Sequence, residues 1–229
     1  MKKGIILIIG ILLVPIVVMG KEYNNRKNDF RIEVPESYYV IDENNIEENR
    51  SFIESYGMFA EEVRNIFKGS DEVTLGLRSD EQVTMHIRVS SDNETRKIWK
   101  IETASEKELE KIKNQTKGSL STRENEITYQ EYTEKKMIKT IIEYEDHYEI
   151  NYKSIYNGKN YEIDFESYDI ENKEETIEEI EGIIETFTYT KEEEKPSPFE
   201  ADWIKVLLIV ILVIGLGGVI YEIIKTKKK

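Results

Sequence analysis

The sequence predicts an α+β fold in which an antiparallel β-sheet is flanked by helices and followed by a C-terminal transmembrane helix. Apolar and polar residues alternate in several short segments, as they do in half-buried strands. Between these segments apolar residues recur at the helical period of 3.6. Helices that interrupt an antiparallel sheet favour a layered α+β domain over an all-β sandwich. A final apolar run, residues 203–224, is long enough to span a bilayer.

The first strands lie near the start of the predicted domain. Phe30, Ile32 and Val34 alternate with polar neighbours, and Pro35 ends the run. A second, short strand is predicted at residues 39–41.

The next segment has a helical period and begins at Ser51, which forms a capping box with Glu54. Gly57 lies in its middle, so we expect two short helices joined at Tyr56 and Gly57, with Gly69 at the end. The apolar face consists of Phe52, Ile53, Tyr56, Phe59, Val63, Ile66 and Phe67.

Two alternating strands follow, at residues 73–77 and 83–89. His86 lies on the side of its strand that faces away from the apolar residues. Because the other histidine is far away in the sequence, we expect His86 to be exposed or half-covered and not a metal ligand.

Two more helices are predicted. Ser105 and Glu108 form a capping box that begins a helix ending before Gly118. The last helix runs from about Lys173 to Glu185, and its buried face is Ile177, Ile180, Ile183 and Ile184. Residues 187–189 are expected to add an edge strand.

The clearest pattern is a β-hairpin around Asn157 and Gly158, a dipeptide that favours a type I′ turn. The turn predicts the pairs Ser154–Tyr161, Tyr152–Ile163, Ile150–Phe165 and Tyr148–Ser167. The buried face is then Tyr148, Ile150, Tyr152, Tyr161, Ile163 and Phe165. The other face pairs Lys153 with Glu162 favourably and Glu149 with Glu166 unfavourably. Tyr168 lies on that face as a candidate contact residue, although we expect a second helix layer to cover it.

The strand before the hairpin contains Ile138, Thr140, Ile142 and Tyr144. A two-residue turn would place Ile142 opposite Glu149, on the wrong face. We therefore predict a three-residue loop, residues 145–147, which places Ile142 opposite Ile150 and leaves His147 exposed at the tip.

Both ends of the chain carry membrane-directed segments. Lys2 and Lys3 precede an apolar run that ends at Gly20, the pattern of a signal peptide over residues 1–20 that is cleaved before Lys21. An uncleaved N-terminal anchor is the alternative.

The second apolar segment predicts the topology. Trp203 and Tyr221 stand where aromatic rings meet the two membrane interfaces, and the lysine-rich tail, residues 225–229, belongs in the cytoplasm. This arrangement makes residues 21–190 an extracytoplasmic domain and residues 191–202 a stalk rich in Pro and Glu.

The composition excludes several classes of protein. The chain has 229 residues and a net charge of −14, and residues 21–202 hold 25 of the 32 basic and 45 of the 46 acidic residues, a net −20. This charge argues against nucleic acid or an anionic lipid surface as a partner. The membrane is expected as a partner through the C-terminal helix, and a protein partner is the other candidate. The absence of Cys excludes disulfides and thiol chemistry, and two His leave little material for a zinc site or a catalytic triad.

We assign no catalytic, cofactor-binding or metal-binding residue from the sequence. The candidates weighed are the acid pairs Glu61/Glu62 and Asp42/Glu43, the oxygen-rich loops 42–45 and 91–95, and glycosylation sequons at Asn93 and Asn114. Adjacent acids carry little information in so acidic a chain. Neither loop has the EF-hand pattern, and turn chemistry explains both better.

The order of elements resembles the PsbP-like family, whose type member is an extrinsic subunit of the photosynthetic oxygen-evolving complex. The matching features are the opening strand 30–35, the closing hairpin 156–165 and the acidic helix that ends at Thr186 and Phe187. The resemblance covers about residues 28–190. It implies an antiparallel sheet with flanking helices and an accessory or binding role without a shared catalytic site.

We therefore expect a membrane-anchored extracytoplasmic binding module at a bacterial cell surface, without catalytic activity. The alternative is an accessory subunit that docks into a larger membrane complex through its C-terminal helix. An envelope hydrolase is a distant third.

Overall fold

The computed structural model describes residues 20–119, 126–132, 135–196, 206–207 and 209–212. Its strands are β1 (Lys21–Asn25), β2 (Phe30–Val34), β3 (Tyr38–Ile41), β4 (Glu72–Arg78), β5 (Val83–Ser90), β6 (Glu126–Tyr132), β7 (Lys135–Glu143), β8 (Tyr148–Tyr156), β9 (Lys159–Ser167) and β10 (Thr188–Tyr189). Its helices are α1 (Arg50–Ser55), α2 (Ala60–Gly69), α3 (Asn93–Ile98), α4 (Glu106–Ser119) and α5 (Lys173–Thr186), and a 3₁₀ turn spans Ile101–Thr103.

The strands form two antiparallel sheets, one of seven strands in the order β3-β4-β5-β9-β8-β7-β6 and one of three in the order β1-β2-β10. The main core lies between the inner face of the large sheet and a layer made by the small sheet and α5. Its largest fully buried side chains include Phe30, Met85, Tyr152, Tyr161, Phe165 and Phe187. The predicted α+β class, antiparallel sheets with flanking helices, is confirmed.

The hairpin of β8 and β9 has the predicted register. All four expected pairs are present, and Lys153 lies opposite Glu162 while Glu149 lies opposite Glu166. The six residues assigned to the inner face are at most 2% exposed. Asn157 and Gly158 both have positive φ angles, as a type I′ turn requires.

The register predicted between β7 and β8 is wrong. Ile142 lies opposite Glu149 and Ile141 opposite Ile150, because the connection is the two-residue turn that the sequence argument rejected. The physical reason is that both faces of β7 are covered. Ile138 packs on the outer side with three other isoleucines, Ile101, Ile112 and Ile155, while Lys139 occupies the inner side and pairs with Glu181 of α5 at 2.5 Å.

The helices differ from the predictions in detail. The expected break at Tyr56 and Gly57 is confirmed, because α1 and α2 are separate helices. The capping box at Ser51 is wrong, since α1 begins one residue earlier without a side-chain cap. The capping box of α4 is confirmed, because the Ser105 N–H donates to the Glu108 carboxylate at 2.8 Å.

Three elements were not predicted from the sequence. Strands β1 and β6 are too polar to show a clear alternation, and β1 pairs with the predicted strand β2. Helix α3 lies where residues 91–95 were interpreted as a turn, and Asp92 caps it by accepting hydrogen bonds from the N–H groups of Glu94 and Thr95. The expected strand at 187–189 is confirmed as β10, an edge of the small sheet.

The segment after β10 lies against the domain and is called the docked segment here, residues 191–195. The Asn157 side chain donates to the Lys191 carbonyl and accepts from the Glu193 N–H, at 3.0 and 3.1 Å. The indole of Trp99 donates to the Glu193 carbonyl at 3.1 Å. Residues 191–195, which the sequence assigns to the stalk, therefore lie on the domain.

Residues 1–19, where the signal peptide is predicted, lie outside the described residues, as do most of residues 197–229, which include the end of the stalk and the lysine tail. Within the part of the chain that is described, no helix has the length and apolar character needed to cross a bilayer.

Candidate functional site

Part of the outer face of the large sheet is not covered by any helix among the described residues. Helix α2 packs against β4, α3 packs against β9, and the 3₁₀ turn packs against β7 and β8. Between them, side chains of three central strands stay partly or fully exposed: Thr84, His86 and Arg88 of β5, Glu162, Asp164 and Glu166 of β9, and Glu149, Asn151 and Lys153 of β8. We call this surface the open strip.

The half of the open strip near the Asn157 turn is electrically balanced. Arg88 pairs with Asp164 and lies 3.5 Å from Glu162, and Lys153 pairs with Glu162 at 2.9 Å. The amide of Asn151 donates to Asp164. Each charge here already has a partner within the sheet, so this half is a structural network.

His86 lies at the edge of this network, half-exposed as predicted. Its Nδ1 is 3.5 Å from the carboxylate of Glu72, which is buried. The hydrogen bond to Glu72 raises the pKa of His86 above its ordinary value of 6.5, burial opposes this rise, and Asp164 adds to it.

The other half of the open strip, together with the adjoining β7–β8 connection and the residue after β9, combines acidic and aromatic groups. We call it the distal cluster and define it as Tyr144, Asp146, His147, Glu149, Glu166 and Tyr168. Glu149 and Glu166 lie directly opposite each other, and the Nε2 atom of His147 is 4.0 Å from each carboxylate. The Nδ1 atom is 2.7 Å from Asp146.

Aromatic stacking holds the imidazole of His147 in place. Its ring stacks on Tyr144 with centroids 4.1 Å apart and planes 6° apart, and on Tyr168 with centroids 5.2 Å apart. Only 17% of the His147 side chain is exposed, so the prediction of an exposed loop tip is wrong. The shorter turn brings His147 back over the sheet, where two tyrosine rings cover it.

Tyr168 forms the exposed wall of the distal cluster. It is 47% exposed, as is Ile170 two residues later, so the expectation that a helix layer covers Tyr168 is wrong. Its hydroxyl donates to Glu166 at 2.5 Å, and this hydrogen bond raises the pKa of the Tyr168 phenol. The phenol is therefore neutral at physiological pH.

The acid pairs weighed from the sequence do not form dyads. Glu61 pairs with Arg64, whereas the Glu62 carboxylate accepts from the Phe59 N–H at the start of α2. Asp42 is buried and accepts from the Tyr23 hydroxyl at 2.7 Å, while Glu43 turns outward to Lys27. Among the described residues, no group of three or more His, Asp or Glu is arranged to hold a metal ion.

The loop 42–45 is shaped by turn chemistry, because the Asp42 carboxylate accepts from the N–H groups of Asn44 and Asn45. A cleft of about 480 Å³ lies beside this loop, between the β1–β2 turn and the end of α2. The sequons fall in helices: Asn93 is the first residue of α3, and Asn114 lies within α4.

A buried arginine at the end of β4 is also structural. The Arg78 guanidinium lies 2.7 Å from Asp169, 2.9 Å from Asp80 and 3.3 Å from Glu179. The hydrogen bond from Arg78 lowers the pKa of Asp169. These acids join the β4–β5 turn to α5 and its preceding loop.

Comparison with known proteins gives similarity of structure only. No protein-family model matches the chain, and no curated protein is similar to it in sequence. The structure is similar to the solution structure of cyanobacterial PsbP (CyanoP) from Synechocystis sp. PCC 6803, with a TM-score of 0.46 and 7% identity over 76% of this chain and 95% of that one. This similarity agrees with the resemblance that the sequence indicates, and it concerns the fold alone.

A second similar structure is a crystal structure at 1.50 Å resolution from Bacteroides thetaiotaomicron VPI-5482, with a TM-score of 0.45 and 12% identity over 77% of this chain. The match covers 50% of that protein, so this chain spans about half of its length. The architecture given above rests on the strand order and register, and neither similarity contributes to it.

Part of the distal cluster was predicted from the sequence. The hairpin register placed Glu149 opposite Glu166 and put Tyr168 on the outer face, and the structure confirms both. His147 and Tyr144 were not predicted as members of the distal cluster, because the loop between β7 and β8 was predicted one residue too long. An unfavourable Glu–Glu pair beside an outward-facing Tyr was the signal available.

Proposed function

We propose that this chain is a membrane-anchored extracytoplasmic binding module at a bacterial cell surface, that it lacks catalytic activity and that its partner is a protein. In this proposal residues 203–224 span the membrane and the domain presents the distal cluster to the partner. An exposed aromatic surface that none of the described helices covers is typical of a protein contact site.

One observation supports this function above the others: the docked segment and the distal cluster lie at opposite ends of the same hairpin. The docked segment bonds to Asn157 in the turn between β8 and β9, whereas His147 and Tyr168 lie just beyond the far ends of these strands. Each strand has nine residues, which corresponds to about 30 Å.

This geometry orients the domain if residues 203–224 lie in the membrane. Residues 196–202 extend over at most about 25 Å. The Asn157 end of the domain therefore faces the bilayer, and the distal cluster faces away from it, where a partner has access.

The test is site-specific photo-crosslinking of the full-length protein in membranes of the organism that carries it. A photoreactive residue at position 168 or 170 is expected to capture a defined protein band. The same residue in place of Lys107, exposed on α4, serves as the control. Equal capture from all three positions, or none from 168 and 170, would contradict the proposal.

The alternative is an accessory subunit of a larger membrane complex that docks through its C-terminal helix. The docked segment supports this function, because it ties the domain directly to the chain that leads into residues 203–224. Photoreactive residues within 206–212 distinguish the two functions. Crosslinks from these positions alone favour the accessory subunit.

A further inference from the structure

We propose that the distal cluster binds an arginine side chain of a basic segment in the partner. The guanidinium pairs with Glu149 and Glu166 and stacks on the exposed ring of Tyr168. This inference rests on the proposed function, because it names the chemistry of the partner that the binding module recognises.

The charge of the distal cluster is complementary to a cationic side chain of a partner. Glu149 and Glu166 are directly opposed, and like charges in this position repel each other. Among the described residues, neither carboxylate has a lysine or arginine within ion-pair distance, and His147 at 4.0 Å is their nearest basic group. A cation from a partner removes this repulsion, so the surface selects a basic ligand.

The rest of the open strip differs from the distal cluster in how its acids are paired with cations. Strand β9, which carries Glu166, also carries Glu162 and Asp164, and both of these acids are paired with Lys153 of β8 or Arg88 of β5. Within the described part of the chain, one half of the strip is therefore neutralised by lysine and arginine, whereas no lysine or arginine pairs with Glu149 or Glu166 in the other half. The unneutralised half is also the half with exposed apolar side chains, Tyr168 and Ile170.

The groups in the distal cluster match arginine better than lysine. Arginine is planar, donates in parallel to carboxylates and stacks on aromatic faces, whereas lysine is a compact and strongly hydrated point charge. The distal cluster offers two carboxylates beside an aromatic ring whose hydroxyl is held by Glu166. This combination matches a guanidinium, and Ile170 adds an apolar surface for the neighbouring residues of the partner.

The experiment measures peptide binding to the full-length protein in lipid nanodiscs by isothermal titration calorimetry at an ionic strength of about 0.15 M, where the screening length is about 8 Å. The probe is the acetylated and amidated peptide Ser-Ile-Arg-Leu-Arg-Ser. Two matched peptides carry citrulline or lysine in place of both arginines. Citrulline keeps the shape of arginine and removes its charge.

The expected result is that the arginine peptide binds and the citrulline peptide binds at least about tenfold more weakly. The double variant Glu149→Gln/Glu166→Gln is expected to weaken binding of the arginine peptide at least about tenfold, and Tyr168→Leu about threefold. The lysine peptide is expected to bind more weakly than the arginine peptide.

The control is the double variant Glu36→Gln/Glu48→Gln, which removes the same net charge from two exposed acids elsewhere. It is expected to change the affinity less than about twofold, because exposed charges act weakly at a distance. The Glu149→Gln/Glu166→Gln variant loses a like-charge pair, so it is expected to fold, and thermal unfolding checks this.

The inference would be overturned if the arginine peptide did not bind at about 1 mM, which is on the order of the weakest useful affinity. It would also be overturned if the citrulline or the lysine peptide bound as tightly as the arginine peptide. An effect of the control variant as large as that of Glu149→Gln/Glu166→Gln would overturn it as well. If these occur while position 168 still crosslinks a partner, the binding module stands and the guanidinium assignment fails. Loss of both results would reject both proposals.

Discussion

Gly158 lies where the hairpin turn meets an indole ring. Its φ angle is +69°, and an added Cβ atom would come within 2.8 Å of two ring carbons of Trp99. Trp99 itself has a φ of 67° and a ψ of −53°, and the Lys100 N–H donates to the Ile98 carbonyl at 2.9 Å, which makes a strained γ-turn. The turn, the indole and the docked segment therefore depend on one another.

The substitution Gly158→Ala is expected to destabilise the domain by about 2 kcal/mol or more, because it adds both a steric clash and an unfavourable φ. Gly182→Ala is the matched control. Gly182 lies inside α5 with no atom within 4 Å of an added Cβ, so alanine is expected to stabilise by about 0.5–1 kcal/mol. Urea denaturation of the full-length protein in detergent measures both, and equal effects would contradict the prediction.

His86 is expected to make stability depend on pH. Its pKa is raised in the folded state by Glu72, so its contribution is fully present below the unfolded value of about 6.5 and is lost as the pH rises through the raised folded value. The sign therefore favours the folded protein at lower pH.

The measurement compares the free energy of unfolding of the wild-type protein and His86→Gln between pH 6 and pH 8.5 (roughly the range over which a raised His titrates). The wild-type advantage is expected to shrink by about 0.5 kcal/mol across this range, since the ion pair is half-exposed and screened by water. An advantage that stays constant with pH would mean that the proton on His86 does not contribute.

At the scale of elements, the docked segment forms two of its hydrogen bonds to the domain with one side chain, Asn157. The amide of Asn157 bonds to the backbone on both sides of Glu192, in the manner of a neighbouring strand. Asn157 is 6% exposed and its φ is +51°, so it serves the turn and the docked segment together.

The substitution Asn157→Gly is expected to release the docked segment while keeping the turn, because glycine tolerates positive φ. Trypsin cleavage after Lys191 is then expected to accelerate about tenfold, since roughly 1.4 kcal/mol of local hydrogen bonding is lost. Cleavage after Lys107 is the control within the same sample and is expected to stay constant. Unchanged cleavage at Lys191 would show that the Trp99 hydrogen bond and the ion pair between Lys100 and Glu192 hold the segment without Asn157.

The register of β7 shows why one element was mispredicted and its neighbour was not. The β8–β9 register depends on a local dipeptide, Asn157-Gly158, whose turn geometry is fixed by sequence. The β7–β8 register depends on which face of β7 is buried, and both faces are. Ile138 was assigned to the main core, but it packs with Ile101 and Ile112 on the outer side.

At the scale of the whole molecule, the proposed topology puts the domain outside and the lysine tail inside. The natural chain has no cysteine, so single cysteines report on each side without background. In intact cells a membrane-impermeant maleimide is expected to label Lys107→Cys fully and Thr226→Cys less than about a tenth as much, because the tail is predicted to be cytoplasmic. After lysis both are expected to react.

Labelling of Thr226→Cys in intact cells would contradict the topology. Protection of Lys107→Cys would place the domain inside the cell and would remove the basis for a surface binding module.

The sequence by itself determined the antiparallel class, the hairpin register, the split of α1 from α2 and the outward position of Tyr168, because periodicity and turn chemistry are local. Only the tertiary structure decided that Lys139 faces the core and that His147 lies between Tyr144 and Tyr168. It also decided which part of the outer face of the large sheet is covered by helices. These features depend on packing between elements that are far apart in the sequence, such as α4, α5 and the docked segment. The sequence pattern alone does not show which face of a strand each of these elements covers.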